Sequence, residues 1–475
     1  MNISINRRDF IKAGITAAAF SGLGFKSNQQ KRVIVLGGGL SGLSAALDLV
    51  NAGFDVTILE ARSRPGGRVF TMREPFSDGL YAEAGAARIQ DTHEWTLKYV
   101  KQFNLTLDPF FPTEGAFVTY IRGKRIVSPF PKRPDIPDLP LDFSEAEKKL
   151  GLFPSQGKYL FSQLSALGDG VNIDWNADVI KQLELSLPDY LKKQGASDAL
   201  IQMIGFGHDL SAMSALMMLR DAALGAKTKV FYKIRGGNDL LPKAFAAKLS
   251  DKIEYGAQVQ KIEQNEGEVR AHFLRADKMH TVTGDYLICT LPLPVMRRVE
   301  VTPLLSAQKR DAINEIEYFS MARVHLQSKK RFWTERGENG FASSDDPLDV
   351  WDYTRNQPGT RGILGTYISG RMGARIAFQT PAEREDTILE MMERIHPGIR
   401  ENFEVSGSHA WLTDPWSMGA GAEFRAGQMS RFEPYLAVPE GRIHFAGDHT
   451  SPWNGWMNGA IQSGERVANE IKARK

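Results

Sequence analysis

Three glycines and a following carboxylate, Gly37, Gly39, Gly42 and then Glu60, have the types and spacing needed to hold the pyrophosphate and a ribose of a dinucleotide. The first glycine permits a tight turn, the second lets the backbone approach the phosphates, and the third lets the next helix pack closely on the preceding strand. A pyrophosphate then rests on the helix N-terminus, where unpaired N–H groups and the dipole favour an anion. Glu60 is placed to accept from ribose hydroxyls. The elements that must position these residues are legible around them. Val33-Ile34-Val35-Leu36 reads as a buried parallel strand, Leu43–Ala52 as the helix, and Phe54–Leu59 as a second strand ending at the acid.

Two further segments extend this reading. Glu60-Ala61-Arg62 runs into Gly66-Gly67-Arg68, where paired glycines let the chain pass close to a ligand and Arg68 brings charge towards the phosphates. Near the far end, Gly447-Asp448-His449 follows an expected strand Ile443–Phe445 and precedes Trp453-Asn454-Gly455-Trp456-Met457, with a helix beginning near Trp456. These segments together resemble the FAD-dependent amine oxidase superfamily, which includes monoamine, polyamine and L-amino-acid oxidases. The resemblance implies an FAD held by Gly37, Gly39, Gly42, Glu60, Arg62, Gly67, Arg68, Ala87, Gly447, Asp448, Met457 and Ala460. Arg235–Pro242 and the expected strand Ala257–Ile262 resemble the family's second FAD segment, which puts Val259 at the adenine end.

Within that family, Gly85-Ala86-Ala87-Arg88-Ile89 resembles the form found in L-amino-acid oxidases, where an arginine at this place grips the substrate carboxylate. A guanidinium offers a planar, bidentate fit to such a group. The same resemblance aligns Tyr367 with a tyrosine bonding that carboxylate, the Gly455 carbonyl with an acceptor for the amino group, and Trp456 with an aromatic wall. Arg323 replaces the lysine most relatives place near the flavin, and a histidine proposed as a base in some relatives falls near Arg220, leaving no obvious base. The implied reaction is oxidative deamination of L-amino acids to 2-oxo acids, with ammonia and hydrogen peroxide released and oxygen as second substrate. The alternatives are a monoamine or polyamine oxidase, a related flavin dehydrogenase, or a non-catalytic flavin-fold binding subunit.

The implied fold is α/β: a discontinuous Rossmann-like FAD-binding domain, a mixed-sheet substrate-binding domain and a helical insertion. We assign residues 31–90, 231–300 and 431–475 to the first, 91–139 and 301–430 to the second, and 140–230 to the insertion. Helical spacing marks Leu210–Leu224 and Glu383–Ile395, and β-rich runs mark Ala322–Gln327 and Gly362–Ile368. A chain of 475 residues is long enough for two or three cores, and a net charge of +3 gives no reason to expect nucleic acid. No metal is expected, and the expected assembly is a homodimer. Residues 1–30, with Arg7-Arg8 ahead of the weakly hydrophobic Ala13–Phe25, resemble a twin-arginine export signal, implying a periplasmic or secreted protein without stable membrane insertion. The single cysteine, Cys289, lies in an apolar strand returning to the FAD sheet and not near the C-terminus, so FAD is expected to be non-covalent and Cys289 a core residue.

Overall fold

A computed structural model describes residues 30–346 and 348–474. The export segment, apart from its last residue, lies outside the described residues. At the centre is a five-stranded, wholly parallel sheet in the order Ile253–Tyr255, Asp55–Glu60, Arg32–Leu36, Tyr286–Cys289, Ile443–Phe445. Its middle strands are covered on both faces, which is why Val33-Ile34-Val35-Leu36 and Tyr286-Leu287-Ile288-Cys289 read as unbroken apolar runs. The cysteine strand pairs directly with Arg32–Leu36, as its sequence implied.

On one face the helix Leu40–Asn51 packs against the last helix, Met457–Lys472. The two approach closely: Ser41 and Ser463 share a hydrogen bond of 3.1 Å, and a Cβ on Gly464 would lie 2.1 Å from Ser44 Oγ. The first helix begins at Leu40, not Leu43 as expected. Gly39, in extended conformation, is its N-cap, so Gly42 falls within the first turn and not ahead of it. The reason for glycine at 42 survives this shift, because a Cβ there would sit 2.1 Å from the Gly37 carbonyl oxygen.

A second, seven-stranded sheet runs in the order Phe403–Ala410, Met321–Ser328, Gly362–Ser369, Leu348–Asp352, Glu338–Ser344, Ala116–Ile121, Lys124–Pro129. It is antiparallel except between Glu338–Ser344 and Ala116–Ile121. The helix Pro381–Ile395 buries Ile388, Leu389, Met391, Met392 and Ile395 on one of its sides. Val259 stands on neither large sheet; its strand, Gln258–Gln264, belongs to a four-stranded sheet and carries a bulge between Val259 and Lys261.

Residues 145–225 supply helices and 3-10 turns with no strand longer than the isolated bridge Ser186 to Ser214. The helix expected over Leu210–Leu224 starts only at Ala215 and runs to Gly225. Backbone pairing takes the preceding residues: Leu187 N–H donates to Met213 O, and Ser214 N–H donates to Phe424 O. No described helix is long and apolar enough to cross a membrane.

Candidate active site

One cavity runs between the two large sheets, with about 1640 Å3 of space between atoms, part of it open to solvent. Its nucleotide end is built from the first strand–turn–helix unit. The helix Leu40–Asn51 has no side-chain cap, so the N–H groups of its first turn lack intrahelical partners and face the cavity beside Gly37, Gly39 and Ser41. A Cβ on Gly39 would meet no atom within 4 Å, while one on Gly67 would come 3.7 Å from Gly39 Cα. This is open backbone able to lie against a phosphate. Glu60 accepts from Gly38 N and Arg62 N, each at 2.7 Å, and still borders the cavity. Burial pushes its carboxyl above the usual range, against those two hydrogen bonds.

The arginines of this region do not all remain free. Arg62 is bound to both oxygens of Asp414, at 2.8 and 2.6 Å, and to Ser417 Oγ. Arg68, expected to offer its charge towards phosphates, is ion-paired with Asp448 and donates to Ala420 O. Asp448 also accepts from Gly455 N at 3.1 Å, and although burial opposes its charge, Arg68 and His449 hold it below the usual carboxylate range. Arg68 and Asp448 therefore lock the glycine turn to the C-terminal segment. Beyond that turn, Trp456 caps the helix Met457–Lys472, again without a side-chain bond, so a second helix N-terminus presents its positive end to the cavity.

The opposite end is aromatic and cationic. Arg88 Cζ lies 5.0 Å from the Trp351 ring, 5.8 Å from Phe231 and 6.0 Å from Trp456. No hydrogen bond or ion pair is made by Arg88 among the described residues, and burial, with Arg323 nearby, lowers its pKa. Arg323 is almost wholly buried on strand Met321–Ser328, bonds Tyr353 Oη at 3.2 Å, and has no carboxylate partner among the described residues. Its Cζ stands 4.3 Å from the Tyr367 ring and 4.7 Å from Trp351. Tyr367, on Gly362–Ser369, makes ring contacts with Trp351 and His208, and its hydroxyl has no partner among the described residues. Two uncompensated guanidinium groups and a free phenol thus converge where the chamber narrows.

Every residue assigned to the site from sequence borders this cavity except Gly42, which instead packs the first helix against Gly37. Cys289 is not among the lining residues; it is buried beside Met296, and burial pushes its thiol up to about 11. Sequence reasoning missed Trp351, which stacks on both arginines, and Trp411 and Trp416 of the wall. Isolated tryptophans carry no spacing that marks them. It also missed Asp221. Arg220, where the relatives' histidine was aligned, is committed to an ion pair with Glu433 and a bond to Gly170 O, whereas Asp221 accepts from Trp456 Nε1 at 2.7 Å and has no cationic partner bonded to it among the described residues; both border a side chamber beside the main cavity.

The model of the flavin-containing amine oxidoreductase family matches residues 40–472. Similar proteins include a Bacillus subtilis chain provisionally named an L-amino-acid oxidase, 35% identical over 462 residues, covering 94% of this chain and 95% of that one. The L-amino-acid oxidase of Vipera ammodytes ammodytes is 30% identical over 459 residues, covering 94% and 93% respectively. Among solved structures, putrescine oxidase bound to putrescine has a TM-score of 0.81 at 23% identity and covers 94% of this chain and 99% of its own. Cyclohexylamine oxidase from Brevibacterium oxydans has a TM-score of 0.81 at 21% identity, with the same coverage. At such identities the solved structures establish the fold.

Proposed function

The chain belongs to the flavin-containing amine oxidoreductase family, and from that premise we propose that it is an FAD-dependent L-amino-acid oxidase with non-covalent cofactor. The observation that carries this reading is Arg88: a guanidinium in the cavity wall, enclosed by three aromatic rings, with no acid bonded to it among the described residues. A buried cation left unpaired is costly, and the cost is recovered when an anionic ligand arrives. A substrate carboxylate supplies that anion. A pocket for simple amines gains nothing from a second cation and is repelled by it.

The residues divide the work by position. Arg88 and the free Tyr367 hydroxyl hold the carboxylate; Trp456 walls the site and Trp351 packs behind Arg88, excluding water, which strengthens the charge contact. The open Gly455, whose N–H is tied to Asp448, presents its carbonyl to the amino group. FAD would be held by the two uncapped helix N-termini, Gly39, Gly67, Glu60, Val259 and Ala460. Bound there, it supplies two-electron oxidation of the Cα–N bond and passes the electrons on to oxygen, giving hydrogen peroxide. The imino acid leaves and hydrolyses to a 2-oxo acid and ammonia.

Localisation to the periplasm or outside the cell rests on Arg7-Arg8, and the homodimer is part of the same proposal. Anaerobic titration of the purified holoenzyme tests the activity. Bleaching of the flavin by L-amino acids and not by the corresponding decarboxylated amines is the expected result. Bleaching by amines alone identifies an amine oxidase, and bleaching by neither class favours a dehydrogenase of another substrate or a binding subunit.

A further inference from the structure

The site contains one carboxylate that neither the cofactor nor the carboxylate contacts employ. Asp221 lies on the helix Ala215–Gly225, and its Oδ1 accepts from Trp456 Nε1 at 2.7 Å. It makes no ion pair among the described residues, whereas the neighbouring acids are committed: Glu433 to Arg220, Asp448 to Arg68, Asp414 to Arg62. Asp221 opens onto a side chamber with about 850 Å3 of space between atoms, part of it open to solvent, that shares Phe319, Tyr367, Gly455 and Trp456 with the main cavity.

Its position relative to Arg88 gives the carboxylate a use. Arg88 Cζ lies 6.0 Å from the Trp456 ring centre, and Asp221 bonds the nitrogen of that same ring. An unpaired cation and an unpaired anion therefore flank one indole. An amino acid in its zwitterionic form carries opposite charges on groups joined to a single carbon, and Arg88 and Asp221, on either side of one indole, offer a partner for each.

We propose that Asp221 pairs with the substrate α-ammonium and accepts its proton. The N–H bond breaks, an O–H bond forms on the Asp221 carboxylate, and nitrogen keeps the electron pair, leaving the neutral amine whose Cα–H can be oxidised. This rests on the amino-acid reading above. The groups facing Asp221 suit the role. Asp221 stays reachable from solvent; desolvation by the surrounding protein raises its carboxyl above the usual carboxylate range, while the indole N–H and Arg88 favour its charged form. Arg220 is occupied by Glu433, while His449 on the chamber wall is pushed down to about 4, chiefly by burial, and stays neutral.

Asp221→Asn tests this while keeping an oxygen for the indole N–H. At pH 7, kcat/KM for an amino acid should fall about 100-fold or more. The deficit should shrink as pH rises towards the ionisation of the substrate ammonium, and Asp221→Glu should restore the wild-type shape of the profile. A second readout needs no turnover. Equilibrium binding of an α-methyl amino acid, which has no Cα hydrogen, should weaken about 30-fold or more in Asp221→Asn, while the same acid lacking its amine should bind unchanged. An unaltered pH profile, or equal loss for both ligands, overturns the proposal and leaves Asp221 as a support for Trp456. If wild-type flavin is bleached by amines and not by amino acids, the amino-acid reading fails and takes this assignment with it; if amino acids bleach it and Asp221→Asn behaves like wild type, only this assignment fails.

Discussion

At the scale of single residues, the proposed substrate class rests on Arg88 and Tyr367. Replacing Arg88 by methionine keeps much of the packing between Trp351, Phe231 and Trp456 but removes the charge. Loss of a charge-assisted bidentate contact from a dry site should cost roughly 2–5 kcal/mol in kcat/KM for amino acids, with the flavin spectrum intact and oxidation of non-carboxylate substrates far less affected. Equal loss for an amino acid and its decarboxylated amine would place carboxylate recognition elsewhere. Tyr367→Phe keeps the ring against Arg323 and Trp351 and removes one neutral hydroxyl. It should shift specificity in the same direction by less, about 0.5–1.5 kcal/mol. Steady-state kinetics on one amino acid and its amine read both variants.

At the scale of elements, the seven-stranded sheet must hold Arg323 and Tyr367 in register, and a buried charge network ties its strands to the helix Pro381–Ile395. Glu338, first residue of its strand, is buried and bonded by His396 Nδ1 at 3.2 Å and Arg336 Nε at 3.0 Å, and it is ion-paired with Arg125. Arg125 Nε also donates to Ile395 O at the end of the helix Pro381–Ile395. Burial opposes the charge on Glu338, but these three partners outweigh it and hold the carboxyl down to about 2 against a usual 4.5. The linkage has a definite sign. The charged form is favoured in the folded state, so its contribution is present above about pH 4.5 and is lost as pH falls towards 2. Glu338→Gln should lower stability near neutrality by about 3 kcal/mol, and the gap to wild type should close across that acid window. Urea titrations at several pH values measure it, and a gap that stays constant with pH would show that the network is not linked to this carboxyl.

At the scale of the whole molecule, the central sheet draws strands from four distant stretches of chain, and the first and last helices described pack against each other with their N-termini at the cavity. A ligand that bridges such parts should stabilise all of them. With free FAD near 1,000 times its Kd, holoprotein should exceed apoprotein by about 4 kcal/mol, visible as a higher Tm by calorimetry. Acid precipitation should release intact FAD, because Cys289 is protonated, buried and absent from the cavity wall. Flavin retained in the precipitate would refute the non-covalent assignment. The proposed export through Arg7-Arg8 is tested on the full chain as well: replacing both with lysine should strand active enzyme in the cytoplasm, since charge is kept while the receptor-read pair is lost.

Local pattern was sufficient for much of this protein. The strand Val33–Leu36, the turn through Gly37 and Gly39, and the acid at Glu60 follow from short-range rules of burial, backbone freedom and spacing, and the structure places them accordingly. The boundaries that shifted, Leu40 for Leu43 and Ala215 for Leu210, moved where a cap or a backbone bond to a distant segment decided them. Family resemblance reached Arg88, Tyr367, Arg323 and Trp456, yet their pairing states were not readable from their identities. Arg68 and Arg62 look as free in sequence as Arg88, but the fold bonds Asp448 and Asp414 to the first two and packs aromatic rings around the third without bonding an acid to it among the described residues. The same holds for Asp221 and Arg220, adjacent on one helix turn and both bordering the side chamber: the fold pairs Arg220 with Glu433 and leaves Asp221 only the indole N–H of Trp456. Residue type and spacing determined which chemistry was possible; long-range packing decided which charges are left unsatisfied, and those unsatisfied charges are what a substrate can bind.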